Sequence, residues 1–182
     1  DPERDPWMWR AIIARKLDIV YGKFFDKKAG FISRQWLPVF ANYRRDGYDF
    51  DALYEDGKAP NKHKKIMDNF MEDKEDVEVF SSVLKKQAGF GKDGEKGFDG
   101  AITSLMMQMY LCNCDFKKRV NKKGMAYGWD VAVYSSIEHI YGYDHVTSCY
   151  REDPQESWNR IVNHIHEIYP IATDQQIRKV LK

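Results

Sequence analysis

Basic side chains are concentrated in one part of this 182-residue sequence. Residues 81–124 contain nine Lys and Arg residues and four acidic residues, a local net charge of +5, whereas the whole chain carries +1. Such a segment suits binding to an anion such as a phosphate group, although solvated surface lysines would give the same composition. The residues predicted to contact phosphates are Lys92, Lys96, Lys117, Lys118, Arg119, Lys122 and Lys123.

Aromatic and acidic side chains cluster just after this basic segment. Tyr127, Trp129 and Tyr143 are predicted to form an aromatic pocket that could stack on a base. Each side chain also has an ordinary structural explanation, because alternate residues of a strand face the core. The acidic residues that could act as a general base on a water molecule are Asp130, Glu138 and Asp144.

The cysteine and histidine positions predict neither a metal site nor a bound cofactor. Cys112 and Cys114 would share one face of a strand, but no second Cys pair or nearby His completes a set of ligands. His164 and His166 are two residues apart on a predicted helix, so their side chains point in different directions. The glycine spacing of residues 89–94 resembles a dinucleotide-binding motif, but it follows a helix where that motif requires a strand.

The basic segment is predicted to form two helices followed by a β-hairpin. Residues 81–89 predict a short capped helix, and residues 98–110 have the apolar period of an amphipathic helix. Residues 112–120 and 126–135 have the composition of two strands. This order is that of a winged-helix unit, in which the second helix enters the major groove of DNA. The side chains predicted on the outer face of that helix are Thr103, Ser104, Met107 and Gln108.

The rest of the chain is predicted to contain helices and one further hairpin. Asp5 and Pro6 open a helix over residues 7–16. Residues 18–33 predict two strands joined by a five-residue turn that uses Gly30. Further helices are predicted from Ser33 to Arg45 and at residues 49–56, 61–73, 153–168 and 173–180.

The predicted fold class is α+β, mostly helical, with one winged-helix unit of a helix-turn-helix and a β-hairpin. We expect an N-terminal helical region with a hairpin at 1–75, the winged-helix-like unit at 76–150, and C-terminal helices at 151–182 that pack on the same core. No apolar run approaches the ~20 residues that span a bilayer, so no membrane partner is expected. Three cysteines fit a reducing cytoplasm. The first residues do not resemble a natural start, and the oligomeric state is left open.

Four stretches of the sequence resemble the bacterial AlkZ-related family: YGKFFDKKAGFIS, FANYRRDGYDFDALYEDG, LKKQAGFGKDGEKGFDGAITSLMMQMYL and YGWDVAVYSSIEHIYGYDHVTS. The resemblance covers nearly the whole chain. It implies a winged-helix protein distantly similar to AlkZ-type DNA glycosylases, which excise alkylated or cross-linked bases. Those enzymes use a Gln-x-Gln or Gln-x-Asp motif, whereas neither Gln35 nor Gln108 begins such a motif here. The resemblance therefore implies the fold and leaves the enzymatic activity open.

Three hypotheses follow for the function. The first is a winged-helix DNA-binding protein related to base-excision glycosylases, with double-stranded DNA as its partner and a role in DNA repair. The second is a non-enzymatic interaction module whose helix-turn-helix is buried. The third is a small-molecule enzyme that uses the aromatic pocket. Coverage of the 98–110 helix at Thr103 and Met107 would favour the second, because groove insertion would then require a rearrangement.

Overall fold

The fold is α+β, with two small antiparallel sheets among the helices. The computed structural model of the protein describes residues 9, 12–70 and 77–181. No helix in these residues is long and apolar enough to cross a membrane. The first sheet pairs β1 (Ile19–Phe25) with β2 (Lys28–Ser33), and the second has the strand order β3 (Val79–Phe80), β5 (Ala126–Ser136), β4 (Leu111–Val120). The helices are α1 (Leu37–Arg45), α2 (Phe50–Glu55), α3 (Asn61–Met67), α4 (Ser81–Gln87), α5 (Phe98–Met107), α6 (Ile137–Tyr141), α7 (Tyr143–Val146), α8 (Pro154–Ile168) and α9 (Asp174–Leu181), with a 3-10 turn at Asp68–Phe70.

Proline sets the start of two helices. Pro38 lies in the first turn of α1, so the helix predicted from Ser33 begins only at Leu37. Pro154 opens α8, and the preceding Asp153 accepts a hydrogen bond from a backbone N–H of the first turn, as its capping pattern predicted.

Two predicted helices extend outside the described residues. Residues 12–14 are helical, but the start of the helix predicted at 7–16, with its Asp5-Pro6 cap, lies outside them. The last part of the helix predicted at 61–73 also lies outside the described residues.

The turn of the first hairpin is shorter than predicted. Asp26 and Lys27 alone join β1 to β2, with φ angles of 50° and 62°. Two left-handed residues form the type of turn that matches the twist of the flanking strands. The prediction of a five-residue turn was therefore wrong, because Gly30 pairs with Gly22 inside the ladder. A Cβ atom on Gly30 would collide with the ring of Phe25, so glycine is required here for close packing.

The two helices and two strands predicted in the basic segment are all present. Helix α5 ends at Met107, earlier than predicted, and Met109 adopts a left-handed φ of 66° just beyond it. Strand β3, which has two residues and pairs with Val133 and Tyr134 of β5, is not predicted from the sequence. The short helices α6 and α7 are not predicted either. A two-residue strand is too short to show an alternating pattern.

One cluster of buried side chains connects all parts of the chain that the structure describes. It includes Phe24 of β1, Leu105 of α5, Leu111 of β4 and Ile161 of α8. The three regions expected from the sequence therefore share a hydrophobic core, while their boundaries stay a prediction.

Arg45 is a charged residue buried in this core, with 2% of its surface exposed. Its guanidinium forms an ion pair with Glu138, donates hydrogen bonds to the Tyr150 hydroxyl at 3.0 Å and to the Met109 carbonyl, and lies 4.4 Å from the centre of the Tyr110 ring. Burial alone would lower the pKa of Arg45, but Glu138 and Tyr150 outweigh it and raise that pKa above its ordinary value. Arg45 is therefore charged and almost fully paired.

Replacing Arg45 with Met should reduce the free energy of unfolding by about 3–5 kcal/mol, the usual cost of removing one partner of a buried ion pair. The change leaves Glu138 and the Met109 carbonyl without their donor. Urea denaturation measures the loss. The exposed Arg151→Met is the control, and it should change stability by less than about 0.5 kcal/mol. Equal, small effects of both changes would contradict the assignment.

His63 should make stability depend on pH. It is 6% exposed, and burial lowers the pKa of its imidazole below the ordinary 6.5. Neutral His63 therefore contributes stability that is present above about pH 6.5 and is lost as the pH falls through the lower pKa of the folded state. We expect the wild type to lose more stability than His63→Leu between about pH 7.5 and about pH 5.5. Urea denaturation at both pH values tests this, and identical losses would contradict it.

Candidate nucleic-acid interface

The outer half of the β4–β5 hairpin projects into solvent. Residues 118–130, here called the projecting hairpin, are all exposed, whereas Cys114 in β4 and Val133 in β5 are buried. Asp130 is the one acid of the projecting hairpin, so its net charge is +3. Within the described part of the chain, none of the four cations of the projecting hairpin forms an ion pair: Lys118, Arg119, Lys122 and Lys123.

Asn121 shapes the tip of the projecting hairpin. Its side-chain Oδ1 accepts hydrogen bonds from the backbone N–H groups of Lys123 at 2.9 Å and Met125 at 3.0 Å. Gly124, with a φ of 78°, supplies the left-handed residue of the turn and donates to the Asn121 carbonyl at 2.9 Å. The turn therefore has a defined backbone, which places Lys122 and Lys123 at the tip.

Lys117 differs from the other predicted phosphate contacts because it is held at the base of the hairpin. Its Nζ lies 3.0 Å from the Glu78 carboxylate and 3.3 Å from that of Asp115. The hydrogen bond that it donates to Glu78 is the main cause that raises its pKa. Arg15 donates a hydrogen bond at 2.6 Å to Oδ1 of Asp115, whereas Lys117 lies near its Oδ2. Lys117 thus belongs to an ion-pair network of the fold.

The turn between α4 and α5 lies against two lysines that the sequence analysis missed. Lys65 of α3 donates to the Glu95 carboxylate at 2.7 Å, and Lys62 donates to the Lys96 carbonyl at 3.0 Å. The predicted Lys92 and Lys96 are exposed in the same turn. No local pattern could have found this contact, because about thirty residues separate its partners along the chain.

The N-terminal hairpin covers part of the outer face of α5. Thr103 is 8% exposed, donates to the Asp99 carbonyl at 2.7 Å and accepts from the Lys23 side chain at 3.4 Å. The prediction that Thr103 contacts a DNA groove therefore disagrees with this conformation, since β1 lies against it. The other residues predicted on that face are half-buried: Ser104, Met107 and Gln108.

Arg44 fixes the end of α5 to two other elements. Its guanidinium donates to the carbonyl oxygens of Met107 at 2.9 Å, Leu181 at 3.2 Å and Phe24. Burial lowers the pKa of Arg44 to about 10, so the side chain is still positive at neutral pH. A cation at the C-terminal end of a helix is stabilising. The end of α5, β1 and α9 are thus joined by one side chain.

The structure does not assemble the predicted aromatic pocket. Tyr127 is 49% exposed and Trp129 is 92% exposed, both on the projecting hairpin. A side chain as exposed as Trp129 cannot form the wall of a cavity with its neighbours. Tyr143 instead begins α7 and donates to the Asp49 carboxylate at 2.7 Å, a hydrogen bond that raises the pKa of Tyr143 to about 12.

The three acidic candidates occupy different surroundings. Asp130 and Asp144 are exposed, whereas Glu138 keeps 24% of its side chain exposed and is held by Arg45. This ion pair favours a structural role for Glu138, because Arg45 links it to the core.

Cys112 and Cys114 lie in an environment that disfavours metal binding and reactivity. Burial raises the pKa of Cys112 well above its ordinary value and that of Cys114 to about 12. Both are therefore buried thiols at neutral pH. Among the described residues, no group of three His, Cys, Asp or Glu side chains is placed to hold a metal ion.

A cavity of about 740 Å³ lies between β2, the start of α1, α8 and α9. Its lining is almost entirely apolar and includes Trp36 and His164, whose rings stack 4.6 Å apart. None of the residues predicted for the aromatic pocket lines it. The third hypothesis expected its concave site near Tyr127 and Trp129, where the structure places exposed side chains instead.

Together these features define an α+β protein in which two helices lead into a basic, partly projecting hairpin. The profile of the family described as AlkZ related matches residues 1–182. The chain therefore belongs to the AlkZ-related family, as its resemblance indicated. Searches of curated proteins and of solved structures found no match.

Replacing Asn121 with Ala should loosen the tip of the projecting hairpin, because the N–H groups of Lys123 and Met125 lose their acceptor. We expect amide hydrogen exchange at these two residues to accelerate by roughly fivefold, as loss of a hydrogen bond of about 1 kcal/mol implies. Asn121→Asp keeps the acceptor oxygen and is the control. Unchanged exchange in the Ala variant would show that this side chain does not shape the turn.

Proposed function

We propose that the protein is a winged-helix DNA-binding protein related to base-excision DNA glycosylases and that it acts in DNA repair. The observation that carries this proposal is the projecting hairpin, with four cations that have no ion-pair partner within the described residues. Polyanionic DNA is the partner that such a surface suits, because each neutralised phosphate releases counterions.

The topology supports the winged-helix part of the proposal. The chain runs α3, β3, α4, α5, β4, β5, and β5 lies between β3 and β4 in the sheet. A winged helix has the same order of elements and of strands. Membership of the AlkZ-related family supports the link to DNA repair.

The contacts of α5 favour binding through the DNA backbone over reading of base edges. Thr103 is buried against β1, and Arg44 joins the end of α5 to β1 and α9. Insertion of α5 into a major groove would require these contacts to break. The phosphate contacts therefore come from the projecting hairpin and the turn before α5. We assign no catalytic residue, because Glu138 is held by Arg45 and the other two acidic candidates are exposed.

A second candidate is the non-enzymatic interaction module, and the same coverage of α5 favours it. On this alternative the helix pair is a packing scaffold and DNA is not a partner. A base-release assay on alkylated duplex DNA, run with binding measurements in parallel, distinguishes an enzyme from a binding protein and from a scaffold.

Changing Lys122 and Lys123 to Gln tests the proposal. We expect duplex DNA binding to weaken and the slope of log Kd against log salt concentration to fall by about two, because each lysine that contacts a phosphate contributes about one to that slope. Fluorescence anisotropy with a labelled duplex between about 50 and about 200 mM salt measures both quantities.

The matched control is Lys27→Gln with Lys28→Gln, two exposed lysines at the turn of the other hairpin. It removes the same charge and should leave the salt slope within about half a unit of the wild type. Equal effects of the two double variants would indicate a general charge effect. Duplex binding that neither variant changes would contradict phosphate contacts by the tip lysines, and no duplex binding by the wild type would favour the interaction module.

A further inference from the structure

Trp129 is held almost entirely in solvent. It is 92% exposed, and three other apolar residues of the projecting hairpin are at least half exposed or nearly so: Val120 at 60%, Met125 at 58% and Tyr127 at 49%. An indole in water contributes little to the stability of the fold, whereas aromatic side chains at recognition surfaces contribute strongly to binding. The exposure of Trp129 therefore indicates a role in binding more than a role in stabilising the fold.

The backbone places Trp129 outside the regular ladder. Lys117 pairs with Val131 and Arg119 pairs with Tyr127, so three residues of β5 stand opposite one residue of β4. Gly128, at a φ of 75°, lies within this irregularity. Such bulges bend a strand and redirect side chains, and they occur next to functional sites more often than elsewhere. The bulge is thus a local feature that presents Trp129.

Charge indicates the kind of partner. Among the hairpin cations that form no ion pair within the described residues, Lys118 and Arg119 lie nearest to Trp129 in the strand register, and Lys122 and Lys123 follow at the tip. A membrane anchor would place its largest apolar residue at the tip, but the tip here is Asn-Lys-Lys-Gly, flanked by Val120 and Met125, and Trp129 lies back along β5. A polyanion with an accessible aromatic face fits this arrangement better, and nucleic acid with an unstacked base has both properties.

We propose that Trp129 stacks on an unpaired or unstacked base, so that the projecting hairpin prefers duplex DNA with an interrupted base stack over intact duplex. This inference rests on the proposed DNA binding by the same hairpin. In intact duplex the faces of each base are covered by its neighbours. A bulged base or an abasic site opens a step, and an indole can then stack while the lysines contact the phosphates on either side.

The test compares two labelled duplexes of the same sequence, one intact and one with a central abasic site, by fluorescence anisotropy at one salt concentration. We expect the wild type to bind the interrupted duplex roughly tenfold more tightly, within the range found for base–aromatic stacking. Trp129→Ala should lose this preference but keep its affinity for intact duplex, and Trp129→Phe should keep most of the preference. Circular dichroism checks that the variants fold.

The variant with Lys122→Gln and Lys123→Gln makes the two proposals distinguishable. If Trp129→Ala keeps the full preference while the lysine variant weakens binding to both duplexes, stacking is overturned and DNA binding stands. If the lysine variant and Trp129→Ala both bind as the wild type does, both proposals fall. Tighter binding to phosphatidylserine vesicles than to either duplex, lost in Trp129→Ala, would overturn stacking in favour of a membrane partner.

Discussion

The position of the basic hairpin depends on the buried guanidinium of Arg45. Met109 and Tyr110, which it contacts, come directly before β4, and Glu138 comes two residues after the end of β5. One side chain from α1 therefore contacts the segment just before β4 and the segment just after β5, at the base of the hairpin. Loss of the contact with Glu138 or with the Met109 carbonyl would leave a buried charge or carbonyl unpaired, which is destabilising in a core of low polarity.

The interactions that hold the hairpin differ between its base and its tip. Next to the core, Lys117, Glu78, Asp115 and Arg15 form ion pairs around the hairpin. Beyond them the two strands are joined by their ladder, and Asn121 closes the turn with its side chain. A rigid base with a solvated basic end can keep its direction while the lysines adapt, which suits contacts with a flexible phosphate backbone.

The local elements were predictable from the sequence, and their mutual contacts were not. The apolar period of residues 98–110 and the strand composition after it located α5, β4 and β5, because each pattern lies within a few residues. The burial of Thr103 could not be predicted, because it depends on a contact between residues far apart in the sequence. An uncharged helix face is compatible with solvent or with packing, and its partner Lys23 lies 80 residues earlier in the chain. The burial of Arg45 could not be predicted either, since its partners come from three separate segments: Met109 with Tyr110, Glu138 and Tyr150.

Coverage of α5 determines which kind of specificity this fold can offer. Base edges are read by side chains that enter a groove, whereas phosphate contacts position a protein without carrying sequence information. With α5 packed against β1 and the projecting hairpin free, binding would respond to charge, shape and deformability of the DNA rather than to its sequence. Damaged bases arise in any sequence context, so a repair protein gains from this independence. The covered helix, which at first argues against a DNA-binding role, is therefore compatible with one in which the hairpin makes the contacts.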